Sequence, residues 1–263
     1  MSNASTVLAD AAFGHEPARW PLPSAFTAHD LWLRAVAAGG QGRYGSAVAD
    51  LDALCRLSRR DPLESLACST RASFLRQLGW HDQARGWDGR ALAQAGGDTE
   101  AGTDALIGLA ADALGVGRLA ASAAALGHAG ARLGGTPGRR LPVRLAWVSA
   151  ELAMACGDGN TAVGHAERAV GLAAGLGSTR HTVKSEVVLA AARCSAGDVD
   201  AARRTADSAL ADADRAGLIP LCWALACLLV DIGSAAHEPP VVARIRNESA
   251  ATVRRRGGNL ADR

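Results

Sequence analysis

The sequence predicts an all-α fold: a solenoid of about five to six stacked helical hairpins with a C-terminal capping helix. Three observations carry this. A glycine recurs at Gly42, Gly79, Gly117, Gly157, Gly197 and Gly233, at intervals of 37, 38, 40, 40 and 36 residues by subtraction. Seven residues before each glycine stands an alanine (Ala35, Ala72, Ala110, Ala150, Ala190, Ala226), and five residues after the first five stands Ala47, Ala84, Ser122, Ala162 or Ala202. Aromatic residues make up only 4% of a chain that is 49% hydrophobic, so the core is mostly Ala, Leu and Val and requires closely approaching helices. Small residues in fixed register at such a period mark stacked helix–turn–helix units.

Residues 1–26, with Pro17, Pro21 and Pro23, read as a mostly irregular arm that lays Phe13 or Trp20 onto the first hairpin. The repeat domain follows over 27–237. In its first unit, Leu31, Ala35 and Ala38 have helical spacing and stop at Gly39, Gly40 and Gly42. Beyond the GRYGS turn, Ala47, Leu51, Leu54 and Leu57 mark one face of a second helix, and Asp61-Pro62 closes the unit. The turns GWHDQA, GRLAAS, GDGNTA and GDVDAA repeat this arrangement. Glycine supplies the left-handed conformation that ends each first helix, and Asp82, Asp158, Asp198 or Asp200 can cap the second. Longer linkers are expected from Gly96, Leu133 and Gly175, with Gly134–Pro142 the least regular and the first to be nicked by proteases. Residues 238–263 form a capping helix and basic tail, with Val242, Ile245 and Val253 on one side of the helix.

The first unit, with GRYGSAVADLDALCRLSRRDP, resembles a tetratricopeptide repeat, and the longer period resembles the tetratricopeptide-like domains of bacterial transcription activators. The resemblance implies a right-handed superhelix whose concave groove, lined by the first helices, binds a peptide or protein. Transferred position by position, it puts Trp32, Ser69, Ile107, Trp147, Val187 and Trp223 at one groove-facing register, with Arg76, Gln77, Arg144, Glu151 and Lys184 as polar neighbours. Three of six tryptophans at one position suit aromatic anchoring of a partner, and equally suit packing between hairpins. The two-cation clamp that some relatives use for a C-terminal carboxylate is absent; its places hold Trp32 and Val36.

Chemistry-bearing patterns are few. His81, His128, His165 and His181 lack metal-ligand spacing, and no GxSxG, HExxH or P-loop occurs, so no cofactor and no catalysis are expected. A net charge of +2 and a short arginine run at Arg254–Arg256 give little reason to expect nucleic acid. Six cysteines without CxxC pairs read as small buried hydrophobes in a reducing compartment. The apolar stretch from Leu221 to Val230 is about half a membrane span. The expectation is a cytoplasmic protein- or peptide-binding adaptor, able to form a homodimer; the alternative is a regulatory or sensor module that binds a small ligand or a regulator.

Overall fold

The computed structural model describes residues 3–58, 61–135 and 138–261, and among them every regular element is helical. Asn3–Phe13 (α1) precedes six hairpins. These are Ala28–Gly40 (α2) with Tyr44–Leu57 (α3), Pro62–Gln77 (α4) with His81–Gln94 (α5), and Thr99–Gly115 (α6) with Leu119–Arg132 (α7). Arg140–Ala155 (α8) with Gly159–Ala174 (α9), Thr179–Ser195 (α10) with Val199–Arg215 (α11), and Ile219–Ile232 (α12) with Pro239–Arg255 (α13) complete them. Each first helix contacts the next first helix, from α2 through α4, α6, α8 and α10 to α12. The hairpins therefore stack in chain order, as a tetratricopeptide-like solenoid requires.

All six repeat glycines have φ between 73° and 90°, a region L side chains rarely adopt. The eleven small residues in register with them are all fully buried, at 0% exposure. A methyl group or hydroxymethyl is all that fits where the two helices of a hairpin meet. The same tightness recurs between units: a Cβ added at Gly159 would lie 2.5 Å from the Ala196 Cα. Asp158 and Asp198 cap α9 and α11, accepting from Thr161 N and Ala201 N at 3.0 Å each. Asp82 and Asp200 instead sit inside the first turn, where a negative charge meets the helix dipole.

The solenoid closes on itself. Val253 of α13 is buried in one cluster with Leu31, Ala35, Tyr44 and Ala47 of the first hairpin. The chain after α13 then runs along the first two units. Gly45 N donates to Arg256 O at 3.0 Å, Trp80 Nε1 to Asn259 O at 2.6 Å, and Ala261 N to Leu78 O at 2.8 Å. The last helix is thus the second half of the sixth hairpin and also a clasp that joins the two ends.

Several expectations need correction. Residues 14–26 are irregular as expected, but the arm begins with a helix, Asn3–Phe13, because its alanines and Leu8 find a wall to bury against. The linkers from Gly96 and Gly175 are short, since Asp98 caps a helix beginning at Thr99 and the next begins at Thr179. Arg140–Pro142 belong to α8; Thr136 and Pro137, also in the stretch expected to be irregular, lie outside the described residues. Leu57, the last residue of α3, is 64% exposed rather than buried with Ala47, Leu51 and Leu54. Cys156 is exposed and only Cys68 and Cys222 are fully buried. Among the described residues, no helix is long and apolar enough to cross a membrane.

Candidate functional site

The first helices form the inner wall, and α1 lies on it. Leu8, Ala11 and Ala12, at helical i, i+3, i+4 spacing, are buried against Leu33, Val36 and Ala37 of α2. At the end of α1, Phe13 reaches beyond the first hairpin as well as packing on it. Its ring centre is 5.4 Å from that of Trp32 on α2 and 6.2 Å from that of His181 on α10. Arg180 of α10 and Arg140 of α8 lie 5.6 and 5.9 Å from the same ring. A side chain in reach of hairpins one, four and five at once sits in the middle of the ring. Thr179 N donates to Gly14 O at 3.1 Å and fixes the end of α1 to the start of α10.

The aromatic chain continues outward. Trp147 of α8 stacks on His181 at 5.4 Å with an interplanar angle of 22°. Both tryptophans also bond the next first helix: Trp32 Nε1 donates to Thr70 Oγ1 at 3.0 Å and Trp147 Nε1 to Ser185 Oγ at 2.8 Å. Each acceptor stands 38 residues beyond its donor, so the two bonds are repeats of one contact. The same register position holds Ser69 and Ile107, both buried, which makes it a hairpin-packing position in the second and third units. Trp223 is half-buried on α12.

The charged candidates form a ladder between hairpins. Arg76 of α4 meets Asp88 of α5 and Asp112 of α6, both carboxylates being wholly buried. Asp104 of α6 pairs with Arg140 and Arg144 of α8. Glu151 of α8 pairs with Lys184 of α10 at 3.3 Å, both about one-third exposed. Gln77 accepts from the buried Tyr44 hydroxyl at 3.0 Å. Arg76, Arg144 and Gln77 are therefore engaged in joining helices, whereas Glu151 and Lys184 border the aromatic chain, with Lys184 Nζ 6.0 Å from the Trp147 ring. One carboxylate serves two guanidiniums at Asp104. Burial, with Arg76 and Arg180 nearby, lowers Arg144 to about 10; burial, with Arg140 nearby, lowers Arg180 to about 10.

Sequence reasoning missed Phe13 as a wall-bridging ring, His181, Arg140 and Arg180. A signal existed: Arg140 and Arg180 stand one 40-residue repeat apart, as do Arg144 and Lys184. His181 is 2% exposed, with Nδ1 2.8 Å from Ser178 Oγ. Burial, and then the charges of Arg180, Arg140 and Arg144, hold its imidazole well below the usual 6.5. The unfolded chain takes up this proton as pH falls through that value, while the folded chain refuses it. His181 thus contributes stability that is present above pH 6.5 and lost on acidification. Burial lowers His81 too, in the same direction. Urea unfolding between about pH 7.5 and 5.5 should show declining stability, with a shallower slope in His181→Leu. An unchanged slope in that variant would remove His181 as a cause.

No protein-family model matches the chain, and no curated protein does. Its backbone is similar to that of a Rap protein complexed with competence and sporulation factor, with a TM-score of 0.66 and 10% identity over 88% of this chain. It is also similar to the Rap conjugation gene regulator of the plasmid pLS20 in complex with the Phr* peptide, with a TM-score of 0.65 and 12% identity over 93% of this chain. The chain spans 64% of the first protein's length and 68% of the second's. At such identities the likeness shows a shared helical-repeat fold.

Proposed function

We propose that this chain is a non-catalytic regulatory module that receives a peptide on the inner wall of its ring. One observation carries the reading: the wall presents Trp32, His181 and Trp147, with Phe13 of α1 seated between Trp32 and His181 to complete a line of rings from α2 to α8, bordered by Arg140, Arg180 and Lys184. Rigid rings offer large contact area for little loss of conformational freedom, and cations beside them orient a partner's backbone or acidic groups. The two solved structures of similar fold are, by their descriptions, complexes with a factor and with a peptide. A regulatory role suits this chain better than that of an open adaptor, because α1 already covers part of the wall and makes access conditional.

In this reading Trp32, Trp147, Glu151 and Lys184 contact the peptide, while Arg76, Gln77 and Arg144 hold the wall in shape. Trp223 extends the same register into the last hairpin. Peptides selected by display on the full chain should bind with micromolar Kd, and His181→Leu should weaken them by several-fold to about tenfold, the worth of a lost aromatic pair. Selected peptides that bind His181→Leu and Trp147→Phe as tightly as the wild type would place recognition elsewhere.

A further inference from the structure

The sixfold pairing of helices leaves α1 over, and its place is informative. It has no hairpin partner. Ser5 hydrogen-bonds the Asp30 carboxylate near the start of α2, and near the other end Gln41 Nε2 donates to Pro17 O at 2.8 Å and Arg19 O at 2.9 Å. The helix therefore runs alongside α2 in the same direction, and the chain returns along α2, with Leu22 and Ala25 packed against the same cluster, to begin the first hairpin. Only one stripe of α1 is buried, Leu8, Ala11 and Ala12, followed by the single ring of Phe13. Such a stripe plus one large anchor is how an amphipathic peptide helix docks in a groove.

Resting on the peptide-binding reading above, we infer that α1 is a tethered competitor for the channel, and that the ligand is an amphipathic peptide helix of the same chemistry: one leucine, two small residues, and an aromatic residue at its C-terminal end. Phe13 defines the anchor pocket. Trp32 and His181 supply its walls, and Arg140 and Arg180 lie within cation–π distance of its ring. Among the described residues no carboxylate pairs with Arg180, so its interaction with the aromatic occupant is not diverted to an acid. Removing α1 breaks no hairpin. Its eleven residues are too few for a stable helix in water, so release and loss of helicity go together. While seated, α1 competes at an effective concentration of about millimolar, set by its short connector.

The experiment titrates the full chain, wild type and Leu8→Asp, with a fluorescently labelled synthetic peptide carrying the sequence of residues 3–14. Leu8→Asp puts a charge where the side chain is fully buried, which unseats α1 without altering the pocket around Phe13. The labelled peptide should bind Leu8→Asp at least tenfold tighter than wild type, and a version with Ala in place of the aromatic residue should lose that binding. If Leu8→Asp does not fold, Phe13→Ala in the full chain replaces it, with an expected gain of about threefold or more. Equal affinity for wild type and an unseated, folded variant overturns the competitor. Display-selected peptides that need His181 yet bind both proteins equally would overturn it while leaving the peptide-binding reading intact; no peptide binding to either protein would remove both. A wild-type dimer that Leu8→Asp dissociates would make the occupant a second copy's α1, which also overturns the tethered form.

Discussion

Replacing Arg76 by Met should lower the free energy of unfolding by about 3–5 kcal/mol, with a larger loss at pH 8 than at pH 5. Arg76 is enclosed between Asp88 and Asp112, whose side chains have 0% exposure, and its Nη1 donates to Asp112 Oδ1 at 2.8 Å. Methionine keeps much of the volume and removes the charge, leaving two buried carboxylates facing each other. Even with Arg76 present, burial pushes the Asp88 carboxyl above its ordinary range, and Asp112 adds to this. Without it the Asp88 carboxyl loses the nearby cation that opposes this rise and favours the protonated form more strongly in the fold. A carboxyl with a raised folded pKa contributes stability that is present below its unfolded value and lost as pH rises through the folded value. The variant should therefore recover part of its stability in mild acid. A loss under about 1 kcal/mol, accompanied by weakened peptide binding, would return Arg76 to the role of a ligand contact.

Val253→Asp should cost about 3 kcal/mol or more, and the damage should appear at both ends of the chain. Val253 is 2% exposed among residues of the first hairpin, more than two hundred positions away in sequence. A charge there is unpaired in an apolar cluster, and the nearby clasp through Asn259 and Ala261 loses its support. Hydrogen exchange should accelerate in α3 and the α4–α5 turn as well as in α13. Acceleration confined to α12 and α13 would mean that the ring is open.

The repeats were legible in the sequence because helix contact in a hairpin is a local constraint. Ala35 and Ala47, like their counterparts in later units, had to be small for two axes to meet, and all are buried completely. The inner wall was only partly legible. Trp32 and Trp147 share a position and a bonding pattern, but Ile107 at that position faces a neighbouring hairpin, since the packing side chains change from unit to unit. Of the capture of α1 only one contact was legible, the seating of Phe13 on the first hairpin, where it meets Trp32. Pro17, Pro21 and Pro23 describe the connector and say nothing of the helix before it, whose weak stripe of Leu8, Ala11 and Ala12 acquires meaning only beside Leu33 and Val36. Ring closure was hidden for the same reason: Val253 and Tyr44 meet through the accumulated curvature of six units, and no short spacing encodes it.

Whether α1 bridges the ring can be read from nuclear Overhauser contacts in the full chain, with protonated Phe, Trp and His rings in a deuterated background. The chain has only three phenylalanines, and Phe74 identifies itself by its contact with Tyr44. One phenylalanine ring, that of Phe13, should show cross-peaks to both Trp32 and His181, side chains on hairpins four units apart. A folded chain in which Phe13 reaches Trp32 alone, or neither, would have an open channel and would contradict the arrangement from which the ligand, its anchor pocket and its competitor have all been drawn.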